Sequence, residues 1–206
     1  IRDSSIVLPK ENTLLTPKNP VDAVLYECEE MFSVYENNES ADKSKKDKIR
    51  KMLKRVKESS KSESTLSCHS CCINTELNSS NFLINKEKAF LVDWEKPIIG
   101  EAAQDLAHFL APTTSFWKTD IILSRKEQDD FISDYIQFVG DRFDTSHIRE
   151  RTGYYIPLNC MRGITWCAMA WIQYKNACKG LRNEFTAKKL EAYLSDEFLE
   201  LVEKRI

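Results

Sequence analysis

Residues 73–110 read INTELNSSNFLINKEKAFLVDWEKPIIGEAAQDLAHFL, and the rest of the chain is organised around this stretch. Two short apolar runs, Phe82-Leu83-Ile84 and Ala89 to Val92, flank a polar tip, Asn85-Lys86-Glu87-Lys88. That pattern predicts a β-hairpin with a four-residue connection. The two ends of a hairpin are neighbours in space. Asn81 enters it and Asp93 leaves it, so an amide oxygen and a carboxylate converge on one point. A hard divalent cation such as Mg²⁺ takes oxygen ligands of this kind, with phosphate oxygens and waters completing its shell. Glu76 lies five residues before Asn81 on the loop leading in, placed to touch whatever is bound beside the metal.

A carboxylate, four intervening residues, an Asn, and a hairpin ending in a metal-binding Asp is the layout of kinase catalytic loops. The loop here is Asn74-Thr75-Glu76-Leu77-Asn78-Ser79-Ser80-Asn81. Val92-Asp93-Trp94-Glu95 follows the hairpin, and Gly100-Glu101-Ala102-Ala103-Gln104-Asp105-Leu106-Ala107 follows that. In this order and spacing the stretch resembles the aminoglycoside phosphotransferase and choline kinase-like family of small-molecule kinases. Their loop commonly reads His-Gly-Asp-Leu-His-Pro-Gly-Asn, followed by a hairpin, Ile-Asp-Trp-Glu, and Gly-Asp-Pro-x-x-Asp-Leu-Ala. Two positions depart from the pattern: Asn74 stands where the family has His, and Glu76 where it has the catalytic Asp.

The resemblance implies roles. Asp93 and Asn81 would hold Mg²⁺ against the phosphates of ATP. Glu76 would accept the proton of the acceptor hydroxyl, or orient it. Asp105 would hydrogen-bond the loop backbone and hold its shape. Phe116 and Trp117, in a segment expected to be a loop from Pro112 to Trp117, lie on the acceptor side and are candidate acceptor contacts. The implied fold is α+β, the mostly helical C-terminal lobe of a protein-kinase-like fold with a short catalytic β-hairpin. No Gly-rich phosphate loop is present among the five glycines, so the N-terminal nucleotide lobe is expected to be absent from this chain.

Composition sets the outer limits. The 206 residues suit one lobe with a sizeable core, and 42% apolar with 30% charged residues fits a globular protein. A net charge of −2 gives no global basic field, so no nucleic-acid partner is expected. The most apolar segment, Gly163 to Ile172, is too short for a membrane span. Seven cysteines, an odd number in a long chain without a signal-peptide pattern, point to a reduced, cytoplasmic protein.

Three regions are expected: 1–65 as lead-in and helices, 66–110 as catalytic loop and hairpin, and 111–206 as a helical subdomain. Residues 1 to 20, with Pro9, Pro17 and Pro20, read as an extended lead-in. Asn19-Pro20 opens a helix whose face is Val21, Val24, Leu25, Cys28, Met31, Phe32 and Tyr35. Residues 43–58 form an amphipathic helix with a basic outer face, read as a solvated surface in preference to an anion-binding one. Ser59 to Ser67 reads as a polar loop. Cys68-His69-Ser70-Cys71-Cys72 lacks a second ligand pair at zinc spacing and is expected to be reduced, metal-free and on a buried strand. Ser124 and Glu127 form a capping box for a helix with a buried stripe of Phe131, Tyr135, Phe138 and Val139, stopped by Gly140. Leu158 to Tyr174 is apolar almost all round, the signature of a central helix, and Lys179-Gly180 closes that region. Thr186 to Ile206 reads as one last amphipathic helix.

Two functions follow from this pattern. One is an ATP-dependent phosphotransferase acting on a hydroxyl of a small aminoglycoside- or choline-like acceptor, present as its C-terminal lobe and inactive without its partner lobe. The other is a non-catalytic kinase-like binding or regulatory module. The intact Asn81 and Asp93 favour the first, and the altered Asn74 and Glu76 favour the second.

Overall fold

Asn19-Pro20 starts the first element, because proline at the first helical position has no N–H to leave unpaired. Helix α1 (Pro20–Glu36) buries Val21, Leu25, Cys28, Met31, Phe32 and Tyr35 on one face. Helix α2 (Lys43–Ser60), capped by Asp42, buries Ile49, Met52, Leu53 and Val56. Part of its basic outer face is committed to ion pairs, such as Lys48 with Glu200, Arg50 with Glu36, and Lys57 with Glu29. The computed structural model describes residues 14–61, 66–176 and 183–206. Most of the expected lead-in, the middle of the expected Ser59–Ser67 loop, and Lys179-Gly180 lie outside the described residues.

The fold is α+β and mostly helical. Strand β1 (Ser70–Ile73) pairs antiparallel with β4 (Ile98–Glu101), and β2 (Phe82–Ile84) pairs antiparallel with β3 (Ala89–Leu91). The hairpin register matches Phe82 with Leu91 and Ile84 with Ala89, and the tip Asn85–Lys88 is closed by Asn85. Helices α3 (Ala102–Leu110), α4 (Pro112–Thr119), α5 (Arg125–Val139), α6 (Ile148–Asn176), α7 (Glu184–Tyr193) and α8 (Asp196–Glu203) follow. Helix α6 is the hub and packs on α1, α2, α3, α4, α5 and α7. Its buried side, Leu158, Met161, Ile164, Cys167, Ala168 and Ile172, is the centre of the core.

Several expectations need correction. Pro112 to Trp117 is not a loop but the body of α4, with Pro112 at its first turn. The central helix starts at Ile148 and not at Leu158. Pro157 sits inside α6, the helix on which most of the others pack. The expected last helix is two, because Ser195 accepts from Phe198 N and opens a new helix with Asp196 and Glu197 in its first turn. Ser59 and Ser60 belong to the last turn of α2 and not to a loop. The capping box at Ser124 and Glu127 is present, but the helix it opens turns a different face inward. Gln128 and Ile132 are buried, while Phe131 is 39% and Phe138 80% exposed. The cysteine strand is not buried either. Ile73 alone is fully covered on β1, since the strand lies at the surface against β4.

The hairpin carries an outward apolar face. Leu83 and Phe90 are cross-strand partners and both are exposed, and Val92 and Trp94 extend the surface. On the other face Phe82 packs edge-on against Phe109, which ties the hairpin to α3. Among the described residues no helix is long and apolar enough to cross a membrane.

Candidate active site

The loop between β1 and the hairpin is held by its own side chains. Asp105, one turn into α3, accepts from Asn74 N at 2.7 Å with one oxygen and from Thr75 N at 2.8 Å with the other. Thr75 has φ 69°, a left-handed conformation that costs a non-glycine residue about 1 kcal/mol or more. The two charge-assisted bonds offset that cost. Burial raises the Asp105 carboxyl above its usual range, against the pull of the two N–H groups.

Asn74 is buried and spans the site. Its amide nitrogen donates to Asp93 O at 2.8 Å, and its amide oxygen accepts from Glu76 N at 3.2 Å. Asp93 also has a left-handed φ, 66°, fixed from behind by the Asn74 bond. Asn81 is buried, donates from its amide to Glu76 O at 3.3 Å, and accepts from Val92 N at its carbonyl. Loop and hairpin base therefore form one hydrogen-bonded unit carrying Glu76, Asn81 and Asp93.

Asp105→Ala strands the N–H groups of Asn74 and Thr75 without an acceptor. Leaving two such groups unpaired is expected to cost about 2–5 kcal/mol, read as a lowered urea midpoint. Asp105→Asn recovers only part of the loss, since just one of its two terminal atoms accepts. An unchanged midpoint in Asp105→Ala would show that the loop does not depend on this carboxylate.

Two groups at the hairpin base offer oxygens that a cation could take. The Asp93 carboxylate is exposed and enters no hydrogen bond or ion pair among the described residues. The Asn81 amide oxygen accepts only a long bond of 3.4 Å from Ser80 Oγ. Among the described residues no group of three or more His, Cys, Asp and Glu side chains is placed to enclose a metal ion. A carboxylate and an amide oxygen nevertheless suit Mg²⁺, which keeps several waters and is completed by substrate phosphates.

Beside the loop opens a cleft of about 360 Å³, lined among others by Glu27, Glu76, His108, Trp117, Arg162 and Trp166. Arg162 of α6 binds Glu27 of α1 at 2.8 Å, reaches Thr75 O at 3.4 Å, and stands 3.9 Å from the Glu76 carboxylate. It thus fastens the loop to two helices. Trp117 and Trp166 meet edge to face at 5.4 Å, and Trp166 is 43% exposed. Gly163 makes their approach possible, because a Cβ there would sit 2.5 Å from Thr113 of α4.

No family model matches the chain, and no curated protein matches it.

The structure separates the two aromatic candidates. Trp117 lines the cleft, whereas Phe116 stacks on Phe198 at 4.6 Å and packs against Tyr193. Adjacent residues of a helix point about 100° apart, so a pair expected to share a face in a loop is split by α4. Glu27, His108, Arg162 and Trp166 carry no mark in local sequence patterning, with one exception. Arg162 is the single charged residue between Leu158 and Tyr174, and a charge in a helix apolar all round needs a partner.

The six described cysteines are free. Burial pushes the Cys71 thiol up to about 11 and raises Cys68 and Cys72 as well, so none is primed as a nucleophile at neutral pH.

Proposed function

We propose that the chain is the catalytic-loop lobe of a small-molecule phosphotransferase. The observation that carries this reading is the hairpin base. The Asn81 amide oxygen, with a single long bond from Ser80, and the Asp93 carboxylate, with none among the described residues, stand there on a backbone locked by Asp105 and Asn74, with Glu76 opening toward a cleft. ATP is the phosphoryl donor in this reading and a small hydroxylated molecule the acceptor. The resemblance to aminoglycoside phosphotransferases and choline kinases supports it. The exposed Leu83, Phe90 and Trp94 suit the junction with a nucleotide-binding lobe.

Asp93 and Asn81 would hold Mg²⁺, which supplies charge neutralisation at the phosphates as the transition state forms. Glu76 takes the proton of the acceptor hydroxyl as that oxygen bonds to the γ-phosphorus. The bond from phosphorus to the β–γ bridging oxygen breaks, and ADP leaves with the electron pair. Asp105 and Asn74 keep Glu76 in place, since their bonds fix the backbone leading into it and its own N–H.

The test uses paramagnetic Mn²⁺ with ATP added to isotope-labelled chain. Resonances of Asn81, Val92, Asp93 and Trp94 are expected to broaden first. Broadening elsewhere, or none at the hairpin base, would overturn the proposal.

One observation favours a second reading, a non-catalytic kinase-like module. Arg162 sits beside Glu76, a charge partner that holds the carboxylate in a structural role. Retained phosphoryl transfer in the two-lobed protein excludes it.

A further inference from the structure

His108 is on the cleft wall, and its ring nitrogen Nδ1 has no hydrogen-bond partner among the described residues. Its Nδ1 is shut off from solvent and unpartnered, so Nε2 is the ring nitrogen with access to the cleft. Burial, with the Arg162 cation adding to it, lowers its pKa to about 3, and the ring is neutral at ordinary pH. A neutral imidazole carries one N–H and one lone pair. An orphaned buried N–H is rarer and costlier than an unused lone pair. The lone pair therefore belongs on the enclosed Nδ1, and the proton on Nε2, facing the cleft.

The surroundings narrow what that N–H can meet. The Glu27 carboxylate is engaged by Arg162 through both oxygens, at 2.8 and 3.4 Å. Glu76 lies near the same guanidinium. Trp166 offers a half-open indole surface on the same cleft. An N–H donor beside an aromatic plate recognises an oxygen lone pair on a flat-faced ring and repels an ammonium placed against it.

We propose that His108 is the specificity residue of this cleft, donating Nε2–H to an oxygen of a neutral hydroxylated ring that lies against Trp166. Naming that ring the phosphoryl acceptor rests on the phosphotransferase reading; the binding contact itself does not.

The experiment uses the whole chain without nucleotide. Long-range proton–nitrogen spectra of His108 between about pH 5 and 8 are expected to show one neutral form, protonated at Nε2. A ring protonated at Nδ1, or one that titrates in this range, overturns the proposal. Glucose and glucosamine are then the probes, alike except for one ammonium. Glucose is expected to shift the Trp166 indole and His108 ring signals. Its affinity should fall about tenfold in His108→Leu, the worth of one hydrogen bond, and return in His108→Gln, whose amide nitrogen falls near the place of Nε2. Absence of any glucose-induced shift, a loss that His108→Gln does not restore, or tighter binding of glucosamine through His108 each sinks it. The Mn²⁺ measurement at Asn81 and Asp93 is independent of His108, so failure here leaves the phosphotransferase reading standing, and the reverse.

Discussion

Asp93→Asn is expected to abolish Mg²⁺-dependent nucleotide binding and turnover when the chain is joined to a nucleotide-binding lobe. The Asp93 side chain brings a full negative charge to the hairpin base, whereas Asn81 brings an amide oxygen. Exchanging that carboxylate for an amide removes the charge that would balance the proposed ion. A bound Mg²⁺ contributes several kcal/mol of transition-state stabilisation, so its loss lowers the rate on the order of 10³-fold or more. The fold should be indifferent to the change. Asn tolerates the left-handed φ of 66° at this position, and the bond from Asn74 goes to the Asp93 backbone carbonyl, which the substitution keeps. Calorimetry of Mg-ATP binding, turnover and a urea midpoint are read together. An unchanged midpoint with lost binding and turnover is the expected triple. Unchanged binding and turnover would make the hairpin only a structural turn.

What could be read from the chain beforehand divides along a physical line. The hairpin, the start of α1 and the Ser124–Glu127 capping box are local, set by residues within a few positions of one another, and all three are present. Where a signal depends on packing between distant segments, local reading fails. Pro157 disfavours an isolated helix, yet it lies inside α6, the helix on which α1, α3 and α7 pack. Hydrophobicity alone predicts the α5 stripe. Leu110 O nevertheless accepts a bond from Gln128, which draws a polar face inward and leaves Phe138 outside. The candidate site follows the same division. Glu76, Asn81, Asp93 and Asp105 lie within one continuous stretch, whereas the far wall of the cleft comes from α1 and α6, as Glu27, Arg162 and Trp166. No spacing rule links residues 135 positions apart, the separation of Glu27 and Arg162.

Glu76 is the residue for which reach decides the outcome. Its backbone is pinned on both sides: N–H to the Asn74 side chain, and carbonyl to the amides of Asn78 and Asn81. The loop cannot slide to compensate for a shorter side chain, because Asp105 holds the two residues before it. Glu76→Gln is expected to leave Mg-ATP binding intact and to lower phosphoryl transfer by about 10²- to 10⁴-fold, the range that a positioned base contributes. Binding is expected to survive because the proposed metal pair is Asn81 and Asp93. Glu76→Asp keeps the charge and withdraws the carboxylate by about 1 Å, a misplacement able to cost about 10²-fold in rate. It also draws the carboxylate back from Arg162, now 3.9 Å away. The expected order of rates is therefore wild type, then Asp, then Gln, with KM for ATP unchanged across the series. A rate that rises in Glu76→Asp would show that the loop is built for the shorter acid and that the native Glu is a brake on the reaction. Equal rates in all three would remove Glu76 from the chemistry and leave it as a contact of Arg162.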